Sequence, residues 1–206
     1  MNRRTAPRAA LLDADGVMQT NPDGWQDDLA AMVPEGRGEE FVADMFASER
    51  PAMAGDRAFQ TVVREVAARW GLTDRLGELL AHWWRIEVVP GTVSVVRDLR
   101  AQGLRCFLAT NQHDHRAAYM RGTLGYDDLF DGQFYSCELG VMKPDPHFFT
   151  KVLAAVDLPA EAVLLVDDNE EYVEAAGRLG LQAELWSVGD GADLLRRRLA
   201  ARGLPV

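Results

Sequence analysis

Four aspartates fall in two short segments of this 206-residue chain, Asp13-Ala14-Asp15-Gly16-Val17 and Asp167-Asp168-Asn169. Carboxylates gathered in one place repel one another unless a cation neutralises them. Hard oxygen ligands in an octahedral arrangement suit Mg2+. An aspartate beside a bound cation and a lysine stays ionised and can attack an electrophile. Lys143 is the candidate lysine, in Gly140-Val141-Met142-Lys143-Pro144-Asp145-Pro146. Leu108-Ala109-Thr110-Asn111 supplies a hydroxyl, and the amides of a strand-to-helix turn supply donors for an anion. A phosphoryl group is the electrophile that uses all of these parts at once. Each part also has a plainer reading. Asp-Gly pairs occur in many turns, a lysine before a proline can be a surface residue, and a threonine there can cap a helix.

These side chains meet only if the elements that carry them end at one edge. In open α/β sheets, ligands sit at the carboxyl ends of the strands. Short apolar runs that read as strands are Ala9–Asp13, Leu104–Thr110, Gln133–Cys137, Val163–Asp167 and Gln182–Trp186. Helical patterns alternate with them. Thr92–Gln102 stops at Gly103, Asp145–Val156 puts Phe148, Phe149, Val152, Leu153 and Val156 on one face, and Glu170–Leu179 ends at Gly180. The alternation breaks between residues 16 and 89. No convincing strand is found there, while Phe59, Val62, Val63, Val66, Ala67 and Trp70 follow helical spacing, as do Leu76, Leu79, Leu80 and Trp83. The expected architecture is α/β: a Rossmann-like parallel sheet flanked by helices, formed by residues 1–15 and 90–206. A helical insertion, residues 16–89, follows the first strand and closes at Pro90-Gly91.

Asp13-x-Asp15-Gly, Thr110-Asn111, Lys143-Pro144 and Asp167-Asp168 resemble, in order, the four motifs of the haloacid dehalogenase superfamily. The insertion falls where that superfamily carries its first type of cap. Glu138–Pro144 and Val166–Gly180 look most like the branch of small bacterial sugar-phosphate phosphatases and the N-terminal domain of soluble epoxide hydrolases. The resemblance implies Asp13 as nucleophile, forming an aspartyl-phosphate, and Asp15 as the acid for the leaving group and then the base for water. It implies Thr110 and Asn111 on the phosphoryl oxygens and Lys143 as charge stabiliser. Mg2+ would be held by Asp13, the backbone carbonyl of Asp15 and Asp168, with Asp167 a ligand or a supporting partner. Tyr172 stands where relatives often carry Asp, Asn or Gly, so a ligand from that position is missing.

The expected activity is Mg2+-dependent hydrolysis of a small phosphorylated metabolite, sugar phosphates among the candidates. A 2-haloacid dehalogenase would also use Asp13, but it needs neither a metal nor an acid two residues on. A non-catalytic receiver-like phospho-acceptor switch combines similar groups, but its acceptor lies on a later strand than its acidic pair. It also lacks a counterpart of residues 16–89. His113 and His115 read as exposed residues of a first helical turn. Trp83 and Trp84 read as core, Trp25 as a cap residue near the first strand's end, and Arg57 and Arg85 as solvated.

With 22 Lys+Arg against 32 Asp+Glu, a net charge of −10, nucleic acid is a poor partner. The basic runs, Arg3–Arg8 and Arg196–Arg198, lie at the chain ends. No apolar stretch approaches the ~20 residues that span a bilayer, and no leader pattern is evident. Cys106 and Cys137 read as buried thiols in apolar strand-like runs, which fits a reducing cytoplasm. A monomer or small homo-oligomer is expected.

Overall fold

The computed structural model describes residues 6–204; residues 3–5 of the N-terminal basic run lie outside them. Among the described residues seven strands form, β1 (Ala9–Leu12), β2 (Gln19–Thr20), β3 (Glu87–Val88), β4 (Arg105–Thr110), β5 (Gly132–Tyr135), β6 (Val163–Asp167) and β7 (Gln182–Leu185). Five of them make a parallel sheet in the order β5-β4-β1-β6-β7. The central strand β1 and its neighbour β6 are buried at every residue, as continuous apolar runs must be when helices cover both faces. The edge strands β5 and β7 carry Gln133, Gln182 and Glu184 and are only partly covered.

Period-two alternation sends Ala10, Leu12, Leu108, Leu164 and Val166 to one face and Ala9, Leu11, Phe107, Ala109, Val163 and Leu165 to the other. The helices that follow the first strand are α1 (Trp25–Ala30), α2 (Gly38–Met53), α3 (Phe59–Arg69), α4 (Leu76–His82), α5 (Pro90–Ala101), α6 (Asp114–Gly122), α7 (Tyr126–Leu129), α8 (Ser136–Leu139), α9 (Pro146–Val156), α10 (Glu170–Arg178) and α11 (Ala192–Ala201). Val95, Val96 and Leu99 of α5, Met120 of α6, and Leu195 and Leu199 of α11 cover the first face. Phe148, Phe149 and Val152 of α9 and Ala175 and Ala176 of α10 cover the second.

Helices α1–α4 bury a core of their own, built on Trp25, Phe41, Met45, Phe59, Val63, Val66, Leu79 and Trp83. On this separation of cores we propose the division already expected, residues 16–89 against residues 1–15 and 90–206. The absence of strands in 16–89 is corrected: β2 and β3 pair antiparallel, Gln19 opposite Val88 and Thr20 opposite Glu87. Two-residue strands are too short to carry a periodic signal. Val17, Met18, Ile86 and Val88 at this neck pack into the core of the sheet layer. Ser136 and Cys137, expected at the end of the third long strand, instead open α8. Among the described residues, no helix is long and apolar enough to cross a membrane.

Candidate active site

Strands β1 and β6 run side by side in parallel, so their carboxyl ends deliver Asp13 and the Asp167-Asp168 pair to one edge. The Asp13 N–H donates to the Val166 carbonyl at 3.0 Å, extending the ladder one residue past β1. Lys143 comes in from the loop between α8 and α9 and is almost wholly buried, at 2% exposure. Its ammonium donates to Asp13 Oδ1 at 2.9 Å and to Asp167 Oδ2 at 2.6 Å. The other Asp167 oxygen accepts from the Asn169 N–H at 3.0 Å. Asp167 is thus committed on both oxygens, whereas Asp168 faces solvent.

Burial is the main force on the Asp13 carboxyl, and it pushes the pKa up to about 6. Lys143 opposes the rise and Asp167 adds to it. Burial by itself would lower Lys143, yet the two carboxylates hold it above the usual lysine range. Asp168 is also raised, by partial desolvation first and by Asp13 second. Asp13, Asp167 and Asp168 each offer an oxygen, and these atoms lie within 4.8 Å of one another. Hard donors at this spacing, two of them pushed toward their neutral forms, fit a hard divalent cation such as Mg2+. Gly16 makes room for the cluster. Its φ is +77°, and a Cβ there would stand 2.0 Å from Asp168 Oδ2, so only glycine fits.

Asp15 lies outside that carboxylate cluster. Arg116 Nη2 and Gln19 Nε2 donate to its Oδ1 at 2.8 and 3.0 Å, and Gln112 Nε2 and Arg116 Nη1 donate to its Oδ2 at 2.5 and 3.2 Å. Sequence reasoning missed Arg116, Gln112 and Gln19. Arg116 is one of several arginines on polar helices, and only its position in α6, directly after β4, hinted that it returns to the strand end.

Thr110 closes β4 and is 1% exposed, beside β1. It does not cap α6; His113 does, its Nδ1 accepting from the Arg116 N–H at 3.3 Å. The Asn111 side chain grips the Lys143 backbone: Oδ1 accepts from its N–H at 2.8 Å and Nδ2 donates to its carbonyl at 2.9 Å. Asn111 Nδ2 also donates to the Tyr172 hydroxyl at 3.3 Å, and the Tyr172 ring lies 5.0 Å from the Lys143 ammonium. Tyr172 therefore supports the lysine and the asparagine that grips it.

The exposed reading of the two histidines is corrected. His113 is 1% exposed, stacked on Phe59 with ring centroids 3.5 Å apart, and His115 is half-buried with Nε2 3.0 Å from the Leu80 carbonyl oxygen. Both pack under the helices of the insertion, which the sequence reading did not bring to this face. Trp25 and Trp83 are core, Trp84 is exposed, and Arg57 and Arg85 pair with Glu65 and Asp28 at the surface. Cys106 is buried in β4 and Cys137 half-buried in α8, both as free thiols.

A haloacid dehalogenase-like hydrolase family model matches residues 7–180, so the chain belongs to that family. It is a hydrolase. A phosphoglycolate phosphatase of Cereibacter sphaeroides is 29% identical over 190 residues, covering 87% of this chain and 84% of the relative. Among solved structures, an HAD family enzyme of Bacteroides thetaiotaomicron in complex with magnesium and inorganic phosphate superposes with a TM-score of 0.72. It is 18% identical, covering 86% of this chain and 93% of that one. An L-2-haloacid dehalogenase of Xanthobacter autotrophicus superposes with a TM-score of 0.62 at 21% identity, covering 86% and 76%. At those identities the structural likenesses speak for the fold.

Proposed function

We propose that the protein is a Mg2+-dependent phosphatase that hydrolyses a small phosphoric monoester through an aspartyl-phosphate on Asp13. The observation that carries this reading is the buried Asp13–Lys143–Asp167 ion cluster with Asp168 beside it. Asp13, Asp168 and the Asp15 carbonyl would hold the cation, with Asp167 chiefly orienting Lys143. The cation would offset the charge of the carboxylates and of the phosphoryl oxygens.

The residues of the chain then divide the work. Asp13 attacks phosphorus, and the bond from phosphorus to the ester oxygen breaks. Lys143 balances the charge gathering around Asp13, and the Thr110 hydroxyl holds a phosphoryl oxygen. Because the Asn111 side chain is engaged with Lys143, it positions that lysine. Asp15 gives a proton to the departing oxygen. It then takes a proton from the water that attacks the aspartyl-phosphate, releasing inorganic phosphate and restoring Asp13. The phosphoglycolate phosphatase likeness over most of the chain agrees with this reading.

A dehalogenase is the competing chemistry. Three carboxylates at one strand edge would repel a haloacid's own carboxylate, which favours the phosphatase. Two free thiols favour a cytoplasmic location. The test is phosphate release from an aryl phosphate near neutral pH. Chelation with EDTA should abolish it and Mg2+ should restore it, whereas activity that survives complete chelation would overturn the reading.

A further inference from the structure

Four carboxylates and two cations share this strand edge, and their contacts sort them. Lys143 takes Asp13 and Asp167, and Arg116 takes Asp15. Among the described residues, neither cation pairs with Asp168. A Cβ on Gly16, the residue after Asp15, would stand 2.0 Å from Asp168 Oδ2. The backbone that carries Asp15 therefore runs against the candidate cation site. Yet the gathered oxygens belong to Asp13, Asp167 and Asp168, and the Asp15 carboxylate is turned elsewhere.

Four donors hold it there. The two Nη atoms of Arg116 reach both Asp15 oxygens, Gln112 adds a donor to Oδ2 and Gln19 one to Oδ1. The glutamines are neutral, so the countercharge comes from Arg116. The Asp15 side chain is 42% exposed, and an aspartate that open turns freely about its Cα–Cβ bond unless something grips it. A planar guanidinium meets a carboxylate at two points and fixes its orientation as well as its position. Arg116 is itself anchored. Its side chain is 6% exposed, and its N–H donates to Nδ1 of His113, whose ring is stacked on Phe59 of α3.

A divalent cation between Asp13 and Asp168 would attract any free carboxylate within reach. A carboxylate bound to a cation takes up a proton poorly and would be lost to acid–base work. We infer that Arg116 is a positioning residue that holds the Asp15 carboxylate off the cation site, reserving it for proton transfer while Asp13 and Asp168 serve the cation. Proton transfer by Asp15 is part of the phosphatase reading, on which that half of the role rests.

A calorimetric titration with Mg2+ alone tests the hold on Asp15 without turnover, in the parent, Arg116→Ala, Asp15→Asn and the double variant. Loss of a nearby positive charge tightens Mg2+ binding in any background, so the difference between backgrounds isolates Asp15. Arg116→Ala should tighten Mg2+ at least ~3-fold more with Asp15 present than in the Asp15→Asn background, the scale of one coupled contact. Equal tightening in both backgrounds would overturn the assignment.

Kinetics test the purpose of the hold. Glycerol 3-phosphate needs a proton on its leaving oxygen, whereas nitrophenyl phosphate does not. In Arg116→Ala, and in Arg116→Lys, which keeps the charge without the two-armed contact, the alkyl-to-aryl ratio of kcat/KM should fall at least ~10-fold. A ratio cancels any loss of folded enzyme, and Arg116→Lys replaces Arg116→Ala in both measurements should the latter fail to fold. An unchanged ratio in both variants would overturn the assignment while leaving the phosphatase reading intact. Phosphate release from no ester by the parent would overturn that reading, and the Mg2+ titration would still decide what holds Asp15.

Discussion

Lys143 is held between two carboxylates with almost no access to water, so its removal has two consequences. Lys143→Ala should lower kcat/KM by at least ~100-fold, the scale of losing one electrostatic stabiliser. It should also cost about 3 kcal/mol of stability, since Asp13 and Asp167 would remain buried without their partner. Steady-state kinetics and urea unfolding check the two effects, and near-normal turnover would return Lys143 to a structural role. Asp15 is separable from Asp13 by step. A nitrophenolate departs without a proton, so only the later deprotonation of water still needs Asp15. Asp15→Asn with excess nitrophenyl phosphate should give a burst approaching one equivalent per site, then a slow rate, whereas Asp13→Asn should give neither. Rapid-quench traces lacking a burst, with equal losses on aryl and alkyl esters, would remove Asp15 from acid–base chemistry. At this scale the gathering of Asp13, Asp168 and Lys143 was legible, the aspartates from their places after apolar strands and the lysine from its place before a proline. Arg116 was not, since its partner lies 101 positions away.

The loop that carries Gln112, one of the partners of Asp15, meets the insertion at Ser136. Its hydroxyl donates to the Met53 carbonyl at 2.6 Å, at the end of α2, and accepts from the Gln112 N–H at 2.9 Å in the loop after β4. Ser136 itself starts α8 and is fully buried. One hydroxyl thereby ties the insertion, the loop that carries Gln112 and the segment leading to Lys143. Ser136→Ala leaves a part-buried carbonyl and a buried amide short of a partner, at a cost of about 1–3 kcal/mol. The urea midpoint should fall with little change in slope. An unchanged midpoint would show that the three elements dock without it. The sequence placed Ser136 in a strand because Gln133–Cys137 reads as one short apolar run, and only the pairing of β4 with β5 ended that strand at Tyr135.

Across the whole molecule, pH should act on stability through Glu49, enclosed where the insertion meets the sheet layer. Burial pushes its carboxyl from 4.5 up to about 8, with Arg116 opposing and Asp15 adding. The folded protein therefore keeps a proton that the unfolded chain releases. Stability from this group is full below about pH 4.5. It declines by up to about 1.4 kcal/mol per pH unit until about pH 8. Glu49→Gln mimics the neutral form, so it should be more stable than the parent at pH 8, with the gap closing toward pH 5. Thermal melts across that range provide the measurement, and parallel curves for the two proteins would exclude Glu49 as the source.

The sequence by itself determined the parallel sheet, the strand ends that carry the carboxylates, and the helical character of residues 16–89. Apolar runs buried on both faces and amphipathic helices leave a periodic trace that needs no knowledge of the partner. What only the tertiary structure decided is how distant segments share one space. It turned the Asn111 side chain to Lys143, gave Asp167 wholly to Lys143 and Asn169, and buried His113 against Phe59. It also set Arg116 on Asp15 and closed the neck with β2 and β3. These contacts join residues far apart along the chain, and polar side chains carry no periodicity that names their partners. Their pairing is fixed by which groups burial brings together and leaves in need of a hydrogen bond or a countercharge.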